Sequence, residues 1–520
     1  MRKKGFWTAV GLLLALVLVT RLPILTHEMR NHPDEHVFVQ GATSLRDVLL
    51  HGAEYTETKP YPEGAYFFFL PFQLLAELVG LLSGAEQSAR VWNRLASVAY
   101  FTLGGAVGLR ILRRYFGGGR SLPIYAVLLA FSLLHIEQSR YGTGEAISFA
   151  LLMLLIDWTA RWIEGGKNGW LFGAAALVGA LGAVKYPLLF FSVLPLCAVF
   201  LCKKGAKQRA GLTLAGVALV LAAFLLLSPE VLRDWRYLVE VAERELRAYM
   251  LKGNRTEVGG PLNHAASLLI YWLGYSDLLL APVAAFAALR AILRGREKTP
   301  LRAFFGVALP VAAAAFALYN LFVTAMFMRT LYPFFCIALL YTAYGAERLL
   351  HSKRALAGAL LGLTVLRGAL LIGAYLPDTA QPTLQAHIAH AKQIACEGRM
   401  LGLVTDRYMT GHWTSFREQY PEAMLVEQEQ LEQNGFPQLH SGDVVVTGPL
   451  ESGRAKPYLF PIEDEGMQRL IDGWAQFKEE NEAFFVGRSY PAYYVPLFGF
   501  WINGVVSEFD FPMNFVYAVP

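Results

Sequence analysis

The chain has 520 residues, 55% of them hydrophobic and only 17% charged, with a net charge of +5; its mean hydropathy is +0.38. Soluble domains carry about a quarter charged residues, so this composition excludes a string of three or four soluble domains. The basic excess is small and scattered with no aromatic-interleaved basic run, which argues against nucleic acid as a partner. Four cysteines, three of them in or beside apolar segments, cannot build a disulfide framework.

Arg2-Lys3-Lys4 opens the chain and an apolar run follows at 6–25. No small-x-small cleavage site comes after it, so it reads as an uncleaved first helix. Further apolar runs lie near 92–112, 121–137, 145–162, 168–184, 186–201, 208–228, 267–293, 300–321, 330–349 and 355–376. Together these predict about eleven transmembrane helices. Only Lys185, Tyr186 and Pro187 divide the pair between 168 and 201.

With that count, every short basic loop falls on one face, among them those holding Arg110, Arg113, Arg114 and Arg120. Lys and Arg collect on the cytoplasmic side, which predicts a multi-pass plasma (inner) membrane protein with its N-terminus in the cytoplasm. The transmembrane domain then spans 1–376. Its first outer loop covers 26–91, and a second outer loop covers 229–266. In that second loop Trp235, Leu238, Val239, Ala242, Leu246, Tyr249 and Met250 recur at helical spacing, as in an amphipathic helix on the membrane surface.

Beyond 377 the pattern changes. Short β-rich runs (Met400–Thr405, Asp443–Thr447, Ala483–Val486, Phe515–Val519) surround a helical stretch at Glu463–Glu480. This predicts an extracytoplasmic α/β or α+β domain over 377–520, attached to an all-α polytopic membrane bundle.

Five polar clusters fall on the predicted outer face, where ionisable residues beside lipid need a reason. In His32-Pro33-Asp34-Glu35-His36 the adjacent carboxylates can supply a general base and a group that tunes it, or they are solvated loop acids. His32 and His36 are candidate ligands for a divalent metal shared with those acids; surface histidines are the plainer reading. Lys59-Pro60-Tyr61-Pro62 precedes an aromatic run, so Lys59 either holds a lipid phosphate or anchors the interface. The hinge from His135 to Glu145 brings Arg140 and Glu145 beside lipid, as an ion pair or as a binding site. Lys185 and Arg329 stand at the outer ends of later spans and, with Lys59, form a candidate phosphate cradle opposite Asp34 and Glu35.

These motifs, in this order, resemble the GT-C superfamily of membrane glycosyltransferases. The likeness is to the branch of protein O-mannosyltransferases, lipid A aminoarabinose transferases and related bacterial sugar transferases. Pro33-Asp34-Glu35 matches the acidic pair of the first outer loop, and Lys59-Pro60-Tyr61-Pro62 approximates a Lys-Pro-Pro segment. Ser139-Arg140 through Glu145, Val184-Lys185-Tyr186, and Arg329 with Pro333 match the later elements. Tyr61 interrupts the double proline and Glu145 stands where Asp is common, which leaves the subfamily open.

The resemblance implies sugar transfer, with inversion, from a polyprenyl-phosphate-linked donor to a glycan, lipid or protein acceptor on the outer face. It makes Asp34 the base, with Glu35 and Glu145 shaping the site, and Lys59, Lys185, Arg329 and Arg140 the phosphate ligands. Two rival classes remain at this point. A multi-span transporter or flippase would place charges near the midplane, where Asp157 and Asp277 are the acids to weigh. An assembly protein would act through the tail alone.

Overall fold

The computed structural model describes residues 2–22, 25, 35–53, 63–85, 87–202, 204–233, 280–294, 299–321, 328–375, 384–396, 398–404, 416–417, 419–447, 465–489 and 514–520, with single helical positions between 235 and 265. They fall into two compact units. The first draws on Met1–Arg244, Ser276–Asn320 and Met328–Ala369, and the second contains Leu370–Pro520.

The first unit is helical. Its elements are α1 (Arg2–Arg21), α2 (Glu35–His51), α3 (Gly64–Ser83), α4 (Ala89–Tyr115), α5 (Ser121–Phe131), α6 (Leu133–Arg140), α7 (Gly144–Gly165) and α8 (Asn168–Val184). A 3-10 segment, Tyr186–Ser192, leads into α9 (Val193–Leu201). Then come α10 (Ala206–Leu226), α11 (Pro229–Arg233) and α12 (Leu280–Arg294). The helical run α13 (Pro300–Leu321) follows, and α14 (Tyr332–Ser352) and α15 (Arg354–Tyr375) close the series. Among the described residues five helices are long and apolar enough to cross a membrane, or six if the bent α5–α6 pair is one span. α8 and the Tyr186–Leu201 stretch are shorter apolar helices, parted at Lys185 as the sequence predicts.

Two helices, α2 and α3, occupy the segment 26–91 in place of the expected outer loop. α3 is long and apolar enough to span, yet its pattern is interrupted in sequence by Pro71, Gln73 and Glu77. The Gln73 amide nitrogen is satisfied by α4: its Nε2 donates to the Ala89 carbonyl at 2.8 Å and to Asn93 Oδ1 at 2.6 Å. α2 packs on α3 through Phe38, whose ring meets Tyr66 at 6.0 Å and Phe69 at 6.2 Å. Gly41 permits this approach, since a Cβ there would lie 2.6 Å from the Tyr66 ring.

α4 and α7 run parallel, start beside start and end beside end, and give the bundle two chemically different ends. At one, Arg110 reaches Asp157 at 2.8 Å and Arg114 reaches Glu164 at 2.7 Å. Arg161 also binds Asp157, at 2.7 Å, and stacks on Trp170 at 4.6 Å. Asp157, buried inside an apolar helix, is therefore held by two arginines, which suits a structural ion pair better than a translocation site. The other end carries the first turns of α4 and α7. α7 stops at Gly166, whose φ of 67° makes the left-handed cap that helix ends favour.

The second unit contains a mixed sheet, β1 (Met400–Leu403), β2 (Met424–Val426), β3 (Val444–Thr447), β4 (Phe485–Ser489) and β5 (Asn514–Ala518), in the order β2-β1-β3-β5-β4. β1 pairs parallel with β2 and β3; β5 pairs antiparallel with β3 and β4. α16 (Leu384–Ala395) covers one face and α18 (Glu465–Glu480) the other, with the short α17 (Gln428–Asn434) beside it. The central strands β1 and β3 are buried throughout, as expected of a sheet covered on both faces. The predicted α/β character holds. β2, α16 and α17 were not legible, being short or surrounded by charge. In the loop 229–266, Trp235 and Val239 are helical and expose their side chains; most of the predicted stripe, and Asp277, lie outside the described residues.

Within this unit Asp443 is clamped by Arg399 at 2.9 and 2.7 Å and by the His440 N–H at 2.8 Å. Burial alone would push its carboxyl pKa up; the bonds from Arg399 and His440 outweigh that and hold it below the usual value. A depressed carboxyl contributes stability above its unfolded pKa and loses it as pH falls through the folded one. Asp443→Asn is expected to cost about 1–2 kcal/mol, allowing for solvent screening at the half-exposed Arg399. It should also flatten the unit's acid-unfolding profile below about pH 4. Hydrogen exchange at the β1 and β3 amides across a pH series measures both.

Candidate active site

Glu35 begins α2 and is fully buried. A buried carboxylate is tolerated only when paired and hydrogen-bonded, and here the pairing is complete. Arg94 of α4 binds it with both fork arms, Nε to Oε1 at 2.8 Å and Nη2 to Oε2 at 2.7 Å. Arg90 lies 3.8 Å away. The Gly142 N–H donates to Oε1 at 2.8 Å, and Arg94 Nη1 reaches on to the Leu25 carbonyl at 3.1 Å. One carboxylate thus joins α2, α4, the chain after α1, and the turn between α6 and α7.

That turn, Tyr141–Thr143, carries the polar hinge residues. Gly142 is required by space: a Cβ there would stand 2.7 Å from the Asn93 Cβ and 3.3 Å from Glu35 Oε1. Before the turn, Arg140 is buried, stacks 4.4 Å over the Tyr141 ring and donates to the Tyr141 hydroxyl. After it, Glu145 is buried in the first turn of α7 and pairs with Lys185. The extended backbone at Lys185, φ −153° and ψ 117°, ends α8 and turns its side chain to that partner. Gly144 stands within 3.7 Å of the Lys185 Cε by its built Cβ. Glu63, also buried, accepts a hydrogen bond from the Glu230 N–H at 3.2 Å and ties the start of α3 to α11.

His135 on α6 shares a hydrogen bond of 3.1 Å with the Tyr332 hydroxyl. Tyr332 opens α14 directly after the 3-10 turn Met328–Leu331 that contains Arg329. The hinge and the start of α14 are thus joined on one side of the bundle.

Of the predicted site residues, the structure brings Glu35, Arg140, Glu145 and Lys185 to one end. Arg329 is placed by its backbone alone. Asp34, Lys59 and His32 lie outside the described residues, with Asp34 adjoining Glu35 in the chain. His36 is exposed. Among the described residues no group of three or more His, Cys, Asp or Glu side chains is assembled for a metal, and Glu35 is committed to Arg94 and Gly142. Sequence reasoning missed Arg94, Arg21 and Tyr332. The signal for the first two was present: an arginine inside or at the end of an apolar run needs a buried acid or carbonyls.

Arg94→Ala removes the bidentate partner of the buried Glu35 and should lower stability by about 3–5 kcal/mol in detergent unfolding. Gly142→Ala should destabilise less, yet abolish whatever activity depends on the hinge. Equal activity in Gly142→Ala and wild type would show that the turn does not position the site.

The model of glycosyltransferase family 87 matches residues 60–309. Among solved structures, the chain is similar to ArnT from Cupriavidus metallidurans bound to undecaprenyl phosphate, with TM-score 0.52 and 15% identity over 85% of this chain and 93% of that one. It also matches ArnT from the same organism in the apo state, with TM-score 0.48 and 14% identity over 98% and 99% of the two chains. A third match is the archaeal oligosaccharyltransferase AglB from Archaeoglobus fulgidus in complex with an inhibitory peptide and a dolichol-phosphate, with TM-score 0.47 and 12% identity over 92% and 72%. No curated protein sequence matches the chain.

Proposed function

We propose that this chain, a membrane glycosyltransferase of the GT-C superfamily, transfers a sugar from a polyprenyl-phosphate-linked donor to a hydroxyl acceptor at the Glu35 end of the bundle. The observation that carries the reading is the joining of Arg140, Glu145 and Lys185 around a turn anchored by a buried acid. Undecaprenyl phosphate in the similar ArnT structure supports a lipid phosphate as the donor's carrier.

In this reading the acceptor oxygen attacks the anomeric carbon and gives its proton to Asp34. The bond from that carbon to the phosphate oxygen breaks, and the lipid phosphate leaves with the electron pair, inverting the centre. The leaving group gains negative charge, so cations already in place lower the barrier. Lys185, Arg140, Lys59 and Arg329 are that set. Glu145 pairs with Lys185 and aims it; phosphate arriving between them shares the same ammonium. Glu35 is a positioning residue, because both its oxygens are occupied by Arg94 and Gly142. The loop 229–266 would serve as a lid over the lipid groove.

The basic residues Arg110, Arg113, Arg114 and Arg120 belong to the opposite end of the helical unit, which supports an extracytoplasmic site in a plasma membrane. The pairing of Asp157 with Arg110 and Arg161 weighs against transport.

Asp34→Asn should reduce transfer by at least about a hundredfold while membrane insertion persists. Membranes of a deletion strain should accumulate one polyprenyl-phosphate sugar by lipid mass spectrometry. Transfer at the wild-type rate in Asp34→Asn would refute the assigned base.

A further inference from the structure

We propose that Arg21, at the end of α1, is a positioning residue for the donor phosphate: it fixes the break between α5 and α6 and through it the placement of Arg140. The inference rests on the sugar-transfer reading.

α5 and α6 meet at Ser132, which is extended (φ −66°, ψ 127°), and the two helices diverge by 69°. A helix that stops leaves its last carbonyls without internal partners, and inside a membrane protein each one buried unpaired is costly. Arg21 is fully buried beside this break. Its guanidinium donates to the Ala130 carbonyl and, at 3.2 Å, to the Leu129 carbonyl. On the third side, Gly368 of α15 packs against the Phe131 carbonyl so tightly that a Cβ would overlap it. The break is therefore sealed by one cation and one close helix contact.

The same guanidinium also reaches the far side of the hinge. Its Nε donates to Ser139 Oγ at 2.9 Å, and Ser139 in turn donates to the His135 carbonyl at 2.7 Å. Ser139 precedes Arg140. α6 has eight residues, too few to hold its shape without tertiary anchors. Its anchors are Arg21 at Ser139 and Tyr332 at His135. A stack on Phe101 at 5.1 Å fixes the plane of the Arg21 fork. This use of several donors in one plane is specific to arginine; a lysine ammonium keeps the charge and loses the geometry.

The test measures binding of undecaprenyl phosphate to the purified full-length chain in detergent, with a melting curve for each variant. Arg21→Lys is expected to weaken binding about tenfold, the scale of one lost charge-assisted contact. Ser139→Ala should weaken it less and leave the melting curve unchanged. The deciding measurement is the double variant: Arg21→Lys combined with Arg140→Ala should bind no more weakly than Arg140→Ala alone. Additive losses would overturn the inference, because Arg21 would then act independently of Arg140. Wild-type binding in both Arg21→Lys and Ser139→Ala would overturn it as well. Should the wild-type chain itself fail to bind the lipid phosphate, the transfer reading falls, and this inference with it.

Discussion

A carboxylate buried in a helix bundle must be met by cations and donors, and Glu35 is met from three directions at once. Arg94 brings α4 to it, Gly142 brings the α6–α7 turn, and the Leu25 carbonyl is drawn in through the far arm of Arg94. Breaking any of these contacts leaves charge in a low-dielectric interior, a cost far above that of a surface pair. The arrangement consequently has one low-energy geometry. The hinge residues inherit it: Arg140 and Glu145 stand two and three residues from the Gly142 amide that Glu35 fixes.

Separation of roles follows from that constraint. Both Glu35 oxygens already accept hydrogen bonds, from Arg94 and Gly142, so Asp34 is the proposed base of the acidic pair. Glu145 is positioned differently. Its partner is a lysine side chain that a phosphate can share, so the pair is suited to respond to the donor, while the Glu35 clamp is suited to stay fixed. The basic network at the other end, built on Asp157, is structural in the same sense as Glu35: an acid between arginines that joins two helices.

Much of this was legible in the sequence, and the reasons differ by element. Apolar runs bounded by charge marked most helices of the bundle, and short β-rich runs marked β1, β3, β4 and β5, because apolar composition follows burial. α3 was missed since Gln73 and Pro71 interrupt its run, and only the fold shows that the Gln73 amide nitrogen finds its partners on α4. Glu35, Arg140, Glu145 and Lys185 were legible as chemistry because ionisable residues beside lipid are rare. Their partners were not. Nothing local in the sequence links Glu35 to Arg94, 59 positions away, or Arg21 to Ser139, 118 positions away; such contacts are products of the fold.

Glu35 and the start of α14 meet at one end of the bundle, through the α6–α7 turn and the His135–Tyr332 bond. Spin labels at His36 and Thr330, in a chain whose four cysteines are replaced, report this distance directly by pulsed electron resonance. The account predicts a separation below about 25 Å, shorter than the hydrocarbon core. A distribution centred beyond about 30 Å, the thickness of that core, would put the two groups on opposite faces and contradict it.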